Sequence, residues 1–444
     1  MNEPLTYASA QRLILSNTAK ARHGLRYWLI LALLVAGVVE GVLTERRQIL
    51  VGIGQTGLNN PVAWSTYLVN FVFWIGIGHA GTLISAILYL LRARFRTAVA
   101  RAAETMTVFA VITAGLFPIL HLGRPWVFYW ILPYPNQRHL WPDFVSPLIF
   151  DVMAVSTYMM VSIMFWYTGL IPDLASARDQ STGLRRKVYG LLALGWRGGE
   201  RNWRHYARAY LFFAAMATPL VISVHSVVSW DFALPIVPGW HSTIYPPYFV
   251  AGAIHSGFAL VMMILIPLRK AHRIESIITV DVLEKMAKVL IVTGLIMSYA
   301  YVFEMLVAFY SQNPFEVQTF WFRLTGFAAP VFWPTLIFNG VAPMLFFWRR
   351  IRRATPWLFG ISLLILTGMW LERFLIIITM RQDYIPYSWG GFVPSLTEWG
   401  IFLGSVCWFG MWFWIFIGFF PVVSLVELKE EIPAPVSEAA HGAR

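Results

Sequence analysis

The stretch NFVFWIGIGHAGTLISAILYLLRAR (residues 70–94) is apolar almost throughout, with one histidine near its middle and Arg92 and Arg94 at its end. A run of about 20 apolar residues is long enough to cross the hydrocarbon core of a bilayer as a helix. A basic close is what a helix end at a charged membrane surface needs. The pattern returns as YFVAGAIHSGFALVMMILIPLRK (248–270), in which His255-Ser-Gly257 matches His79-Ala-Gly81. The chain therefore reads as membrane-spanning and internally repeated.

Outward from these two segments the echoes keep their order. ETM (104–106) and EKM (284–286) follow the first and second copies. PLIFD (147–151) is echoed by PTLIFN (334–339), and YLF (210–212) by WLF (357–359). Ten spans are predicted, near 27–45, 62–91, 104–121, 145–170, 208–232, 245–268, 285–311, 321–348, 357–380 and 397–424. Spans two to five and six to nine form related four-helix units. An even number of helices gives both units one orientation, with the pseudo-axis along the membrane normal. The expected fold is an all-α integral membrane protein of ten transmembrane helices, two repeated four-helix bundles plus two peripheral helices. Its parts are a cytoplasmic N-terminal segment (1–26), the first span and outer loop (27–61), bundle I (62–232), bundle II (233–380), the tenth span (381–424) and a disordered cytoplasmic tail (425–444). The 171–207 stretch reads as a polar connector with a short interfacial helix.

Composition agrees. Of 444 residues, 58% are hydrophobic and 13% charged, against about 25% charged in soluble domains. The 21 Trp and 18 Tyr suit interfacial belts. The net charge of +12 is no nucleic-acid signal, because the basic residues cluster in alternate short loops. Arg12, Lys20, Arg22 and Arg26 precede the first span; RARFR (92–96), RRK (185–187), Arg269, Lys270 and RRIRR (349–353) follow later ones. The other loops hold only Arg46, Arg47, Arg124, Arg138 and Arg381. The positive-inside rule then makes both termini cytoplasmic. The single cysteine, Cys407, excludes an intrachain disulfide and any cysteine-ligated iron–sulfur cluster within the chain. GIGQTG (52–57) lacks the lysine of a nucleotide loop.

Ionisable groups inside spans are costly and thus functional candidates by default. They are His79, His121, Asp151, His225, Asp231, His255, Glu304, Glu372 and Arg373, with Tyr301 as a further proton-path candidate and Glu40 taken as structural. Most lie in the outer half; His79 and His255 lie nearer mid-membrane. Asp151 falls about six residues into an inward-running span, ~9 Å deep at ~1.5 Å per residue, and His121 ends the preceding span on the same side. An imidazole and a carboxyl in one low-dielectric pocket suit quinol oxidation, which releases two protons with two electrons. The plainer readings stay open: His121 as an interfacial histidine, Arg124 as an anchor, and His79 and His255 as interhelical hydrogen-bonders. Glu372 and Arg373, ~100° apart on a helix, are expected to face different ways, one of them pairing with Glu304. A bis-histidine haem needs histidines facing in matched layers, which these positions do not provide. No metal site is expected.

HLGRPW (121–126), SPLIFD (146–151), SVHSVVSWDFA (223–233) and PPYFVAGAIHSG (246–257) resemble segments of the NrfD/polysulfide reductase membrane-subunit family. The similarity covers roughly 30–425 and is greatest to the ten-span branch, the ActC and ActF subunits of alternative complex III, ActC above all. It implies a subunit without haem or iron–sulfur of its own, in a bacterial cytoplasmic membrane. Such a subunit oxidises menaquinol or another quinol near the periplasmic side. Its electrons pass to an iron–sulfur subunit and multihaem c-type cytochromes, beside a paralogous membrane subunit. The resemblance further implies His121 and Asp151 as the quinol pair, with Arg373 nearby; His79 is taken as a further quinol-binding candidate. His225, Asp231, His255, Glu304 and Glu372 are implied as a proton route, to which Tyr301 is added as a candidate. Two other functions fit repeated bundles with buried charges: a secondary transporter, or an anchor that only docks soluble redox partners.

Overall fold

Among the described residues of the computed structural model, ten helices are long and apolar enough to span a membrane. The structure describes residues 6–18, 23–59, 62, 64–132, 147–379 and 391–431. Lys20, Arg22, Arg138, Arg381 and the tail from 432 lie outside the described residues. The spans are Leu25–Val51, Tyr67–Leu90, Ala100–Leu120, Pro147–Asp179, Glu200–Ala233, Tyr245–Ala271, Val280–Ser311, Ala329–Phe347, Thr355–Ile378 and Leu396–Phe419. Their starts carry the expected local chemistry. Prolines open the sixth and ninth, where a missing N–H costs nothing. Thr279 caps the seventh by accepting from the Val282 N–H. Ser395 and Glu398 cap the tenth reciprocally, a capping box.

The second, sixth and ninth spans are the most buried, and the first faces outward. The second packs on the third, fifth, sixth and ninth; the sixth packs on the seventh, ninth, second and fifth. The third meets the fourth as the seventh meets the eighth, and the fourth meets the fifth as the eighth meets the ninth. Two like bundles thus join across the second and sixth spans. The first and tenth spans pair beside them, the tenth touching the third. In that outer pair a methyl on Gly41 would lie 2.8 Å from the Gly404 Cα, the close backbone approach that small residues permit in lipid.

The repeated His-x-Gly motifs meet at the central seam. A Cβ on Gly257 would overlap the Ala80 Cβ and lie 3.0 Å from the Ile77 carbonyl oxygen. Gly257→Ala should therefore push the two bundles apart and cost about 1–3 kcal/mol, the usual penalty of overpacking. Thermal unfolding of the purified protein in detergent reads this; an unchanged midpoint would mean the seam is not set by this contact.

Several predicted boundaries are corrected. The fourth span continues as helix to Asp179 and the fifth begins at Glu200, so the 171–207 connector shrinks to a short helix, Gly183–Leu192, and its flanking turns. The eighth span starts at Ala329, and Pro314–Thr325 is a separate helix. Residues 425–431, expected to be disordered, form the helix Leu425–Glu431. This helix is held by buried charge. Glu427 pairs with Arg96 at 2.8 Å and accepts from the Tyr210 hydroxyl at 2.8 Å. The Leu425 N–H donates to Asp173 at 3.1 Å. Asp173 and Glu104 each pair with Arg101 at 2.9 Å. All lie at the end of bundle I that carries the basic loops.

Candidate functional site

At the opposite end, the fourth and fifth spans run antiparallel, so the start of one and the finish of the other lie at the same level. Asp151, in the first turns of the fourth, and Asp231, in the last turn of the fifth, lie within hydrogen-bonding reach of each other. They are 6% and 8% exposed. Asp151 Oδ1 and both Asp231 oxygens are buried with no donor among the described protein groups. Two facing carboxyls satisfy each other when one holds a proton, its O–H donating to the other's carboxylate. His121, at the end of the third span, has its ring against the carbonyls of Phe117 and Pro118 in its own helix. No hydrogen bond or ion pair joins it to Asp151 among the described residues.

Asp231 is six residues beyond His225 on the fifth span, ~9 Å along the helix axis. There a row of side chains begins that crosses the central seam. His79 stacks on Tyr158 at 4.6 Å between ring centroids and lies 4.7 Å from the His225 ring. Tyr158 is fixed by the Gly78 carbonyl at 2.9 Å and the Thr82 hydroxyl at 2.7 Å. Beyond His225 comes Phe249 at 5.9 Å, and the Arg373 guanidinium lies 4.2 Å from the Phe249 centroid, cation over π-face. Small residues make room for this row. A Cβ on Gly76 would sit 3.5 Å from His225 Cε1, and one on Gly252 would sit 2.6 Å from Arg373 Nη2. Gly76 and Gly252 each precede the repeated histidine by three residues. His225 and Arg373 thus hold matching places in the two bundles.

In bundle II the row continues through Glu372, which pairs with its neighbour Arg373 at 3.3 Å and accepts from the Tyr301 hydroxyl. The Asn339 amide donates to Tyr301 at 2.9 Å and to Glu372 at 3.3 Å. A π-helical turn, Ile337–Val341, carries Asn339, and Gly368 lets it approach the ninth span. Wide turns of this kind often mark functional positions. His255 lies off the row, with Nδ1 2.7 Å from the Thr293 hydroxyl.

Two expectations about bundle II change. Glu372 and Arg373 pair with each other rather than facing apart, since long side chains on adjacent positions can curl together. Glu304 pairs instead with Arg323 at 3.2 Å and accepts from Tyr245 at 3.3 Å. Arg323 sits on the Pro314–Thr325 helix, which sequence reading partly fused with the eighth span. Tyr158, Asn339 and Arg323 were missed. Asn339 had a signal, because it ends the PTLIFN echo of PLIFD; Tyr158 and Arg323 had none beyond being polar near apolar runs.

Sequence comparison adds relatives. The chain is 29% identical over 263 residues to the membrane protein assigned to a dimethyl sulfoxide reductase in Halobacterium salinarum, covering 58% of this chain and 54% of that one. It is 21% identical over 235 residues to a selenate reductase subunit of Mesobacillus selenatarsenatis, covering 51% and 53%. The chain thus spans about half the length of the curated relatives it matches. Residues 54–382 match the family model for polysulphide reductase, NrfD. That match takes in every span from the second to the ninth, and the chain belongs to the NrfD polysulphide reductase family.

Proposed function

We propose that this chain is the quinol-handling membrane subunit of a respiratory oxidoreductase complex. The observation that carries the reading is the buried Asp151–Asp231 pair, open to no other protein donor among the described residues and set at one end of an apolar bundle. A quinol gives up two protons and two electrons in becoming a quinone. A carboxylate of the pair accepts a quinol hydroxyl and takes its proton, and His121 stands at the same end as a second acceptor. His79 and Arg373 line the inner side. His225, His255, Glu304, Glu372 and Tyr301 supply further polar stations toward bundle II, a route along which protons pass. The electrons leave to an iron–sulfur partner, because the chain's own side chains hold protons, not electrons. Both relatives bear the names of reductase subunits, and a reductase needs a reductant; a bilayer subunit is where a lipid-borne one enters.

The finer reading keeps menaquinol, alternative complex III with its multihaem cytochromes and paralogous membrane subunit, and a bacterial cytoplasmic membrane. Both termini are cytoplasmic in that reading, which puts the Asp151–Asp231 end at the periplasmic face. A photoreactive azidoquinone tests the site in native membranes. It should label a peptide from the fourth or fifth span containing Asp151 or Asp231, and excess quinol should suppress the label. Labelling confined to other spans would overturn this placement.

A further inference from the structure

The basic end of bundle I carries a cavity of about 1010 Å³ that quinol handling does not use. It lies where the second span stops at Leu90, between that span's end and the fifth. Its wall includes Tyr89, Leu90, Arg92, Arg94, Arg96 and Leu211. The chain turns sharply here, with Arg92 at φ 53°, so that three arginines at alternate positions line one cavity.

These guanidiniums differ in their commitments. Arg96 is 3% exposed, paired with Glu427 and 4.6 Å over the Tyr89 ring, and so forms a fixed floor. Arg92 and Arg94 are exposed, and among the described residues neither forms a side-chain hydrogen bond or ion pair with protein. At the end of the sixth span, the counterpart in bundle II, Arg269 closes on the Ile278 carbonyl at 3.1 Å. After the eighth span, Arg352 and Arg353 pair with Glu284 at 2.8 and 2.5 Å.

Apolar surface adjoins the cavity. Leu91, just past the second span, is 70% exposed, and Leu211 and Phe212 on the fifth span are 51% and 59% exposed. A ligand filling the cavity therefore needs an anionic head for Arg92 and Arg94 and long apolar chains for these side chains. Guanidinium groups bind phosphate oxygens in bidentate fashion, and basic pockets at the ends of transmembrane helices recognise anionic lipid heads. We infer that this cavity is a specific site for the phosphodiester head of an anionic phospholipid, its acyl chains lying along the fifth span past the end of the second.

The test is native mass spectrometry of the full chain, purified and returned to mixed micelles of phosphatidylglycerol, cardiolipin and phosphatidylcholine. The wild type should retain an anionic lipid in preference to phosphatidylcholine by at least about 10-fold, since bonds from guanidinium groups to anionic oxygens are among the strong ones. Arg92→Gln with Arg94→Gln should abolish that preference. Both side chains are exposed and hold nothing in the fold, so the variant's thermal midpoint without lipid should equal the wild type's. Arg353→Gln, at the loop after the eighth span where Arg353 pairs with Asp281 and Glu284, should keep the preference. Equal retention of phosphatidylcholine, an unchanged preference in the double variant, or release of the lipid by millimolar inorganic phosphate would each overturn the proposal, the last by making this a free-anion site.

Discussion

Asp151→Asn should lower quinol-dependent electron transfer by about 10²- to 10⁴-fold, the span typical for loss of a general base, with the complex assembled normally. The argument is local. Asparagine is nearly the same size, and its amide N–H can donate to Asp231 as a protonated Asp151 would, so the fourth and fifth spans have no reason to part. What disappears is an acceptor for the quinol proton. Asp231→Asn should give a loss of similar order, because either carboxyl of the pair completes the other. The measurement is quinol-driven reduction of the complex's acceptor in membranes, with the amount of each assembled subunit checked on the same sample. Turnover near the wild-type rate in both variants would leave the pair structural and remove the main support for quinol chemistry here.

Arg101→Ala should be the most damaging single change to the fold, at about 3–5 kcal/mol. Arg101 is 2% exposed and bridges Glu104 and Asp173, and its Nη2 also donates to the Gly169 carbonyl at 2.7 Å. Removing it strands two carboxylates where water does not reach, and loosens the Leu425–Glu431 helix that Asp173 also holds. The expected readout is a large fall in the thermal midpoint in detergent. Combining Arg101→Met with Glu104→Gln and Asp173→Asn should recover most of the loss, since a buried ion network replaced as a whole costs little. A triple variant as unstable as the single one would show that shape rather than charge governs this corner.

The spans and their repetition were legible because length and apolar composition are what a bilayer selects, and His79 and His255 sit in copies of one motif. Helix ends were less so. Residues 171–179 and 200–207 leave the apolar pattern yet stay helical, because a helix that has begun in lipid continues into water without needing hydropathy. The buried ionisable residues were legible as a set, and which of them touch was not. His121 and Asp231 both share a depth with Asp151. Depth follows from counting residues, but the choice between them depends on helix rotation, which short apolar sequences do not encode. Arg323 belonged to a helix whose separateness was hidden by the aromatic run around it, so Glu304 was given the wrong partner.

The matched places of His225 and Arg373 make the two halves chemically unequal. On similar scaffolds one presents an imidazole, which can offer a lone pair, and the other a planar guanidinium, which only donates. A polar guest between the halves finds an acceptor on one side and donors alone on the other, so the halves have ceased to be interchangeable even where their backbones still agree.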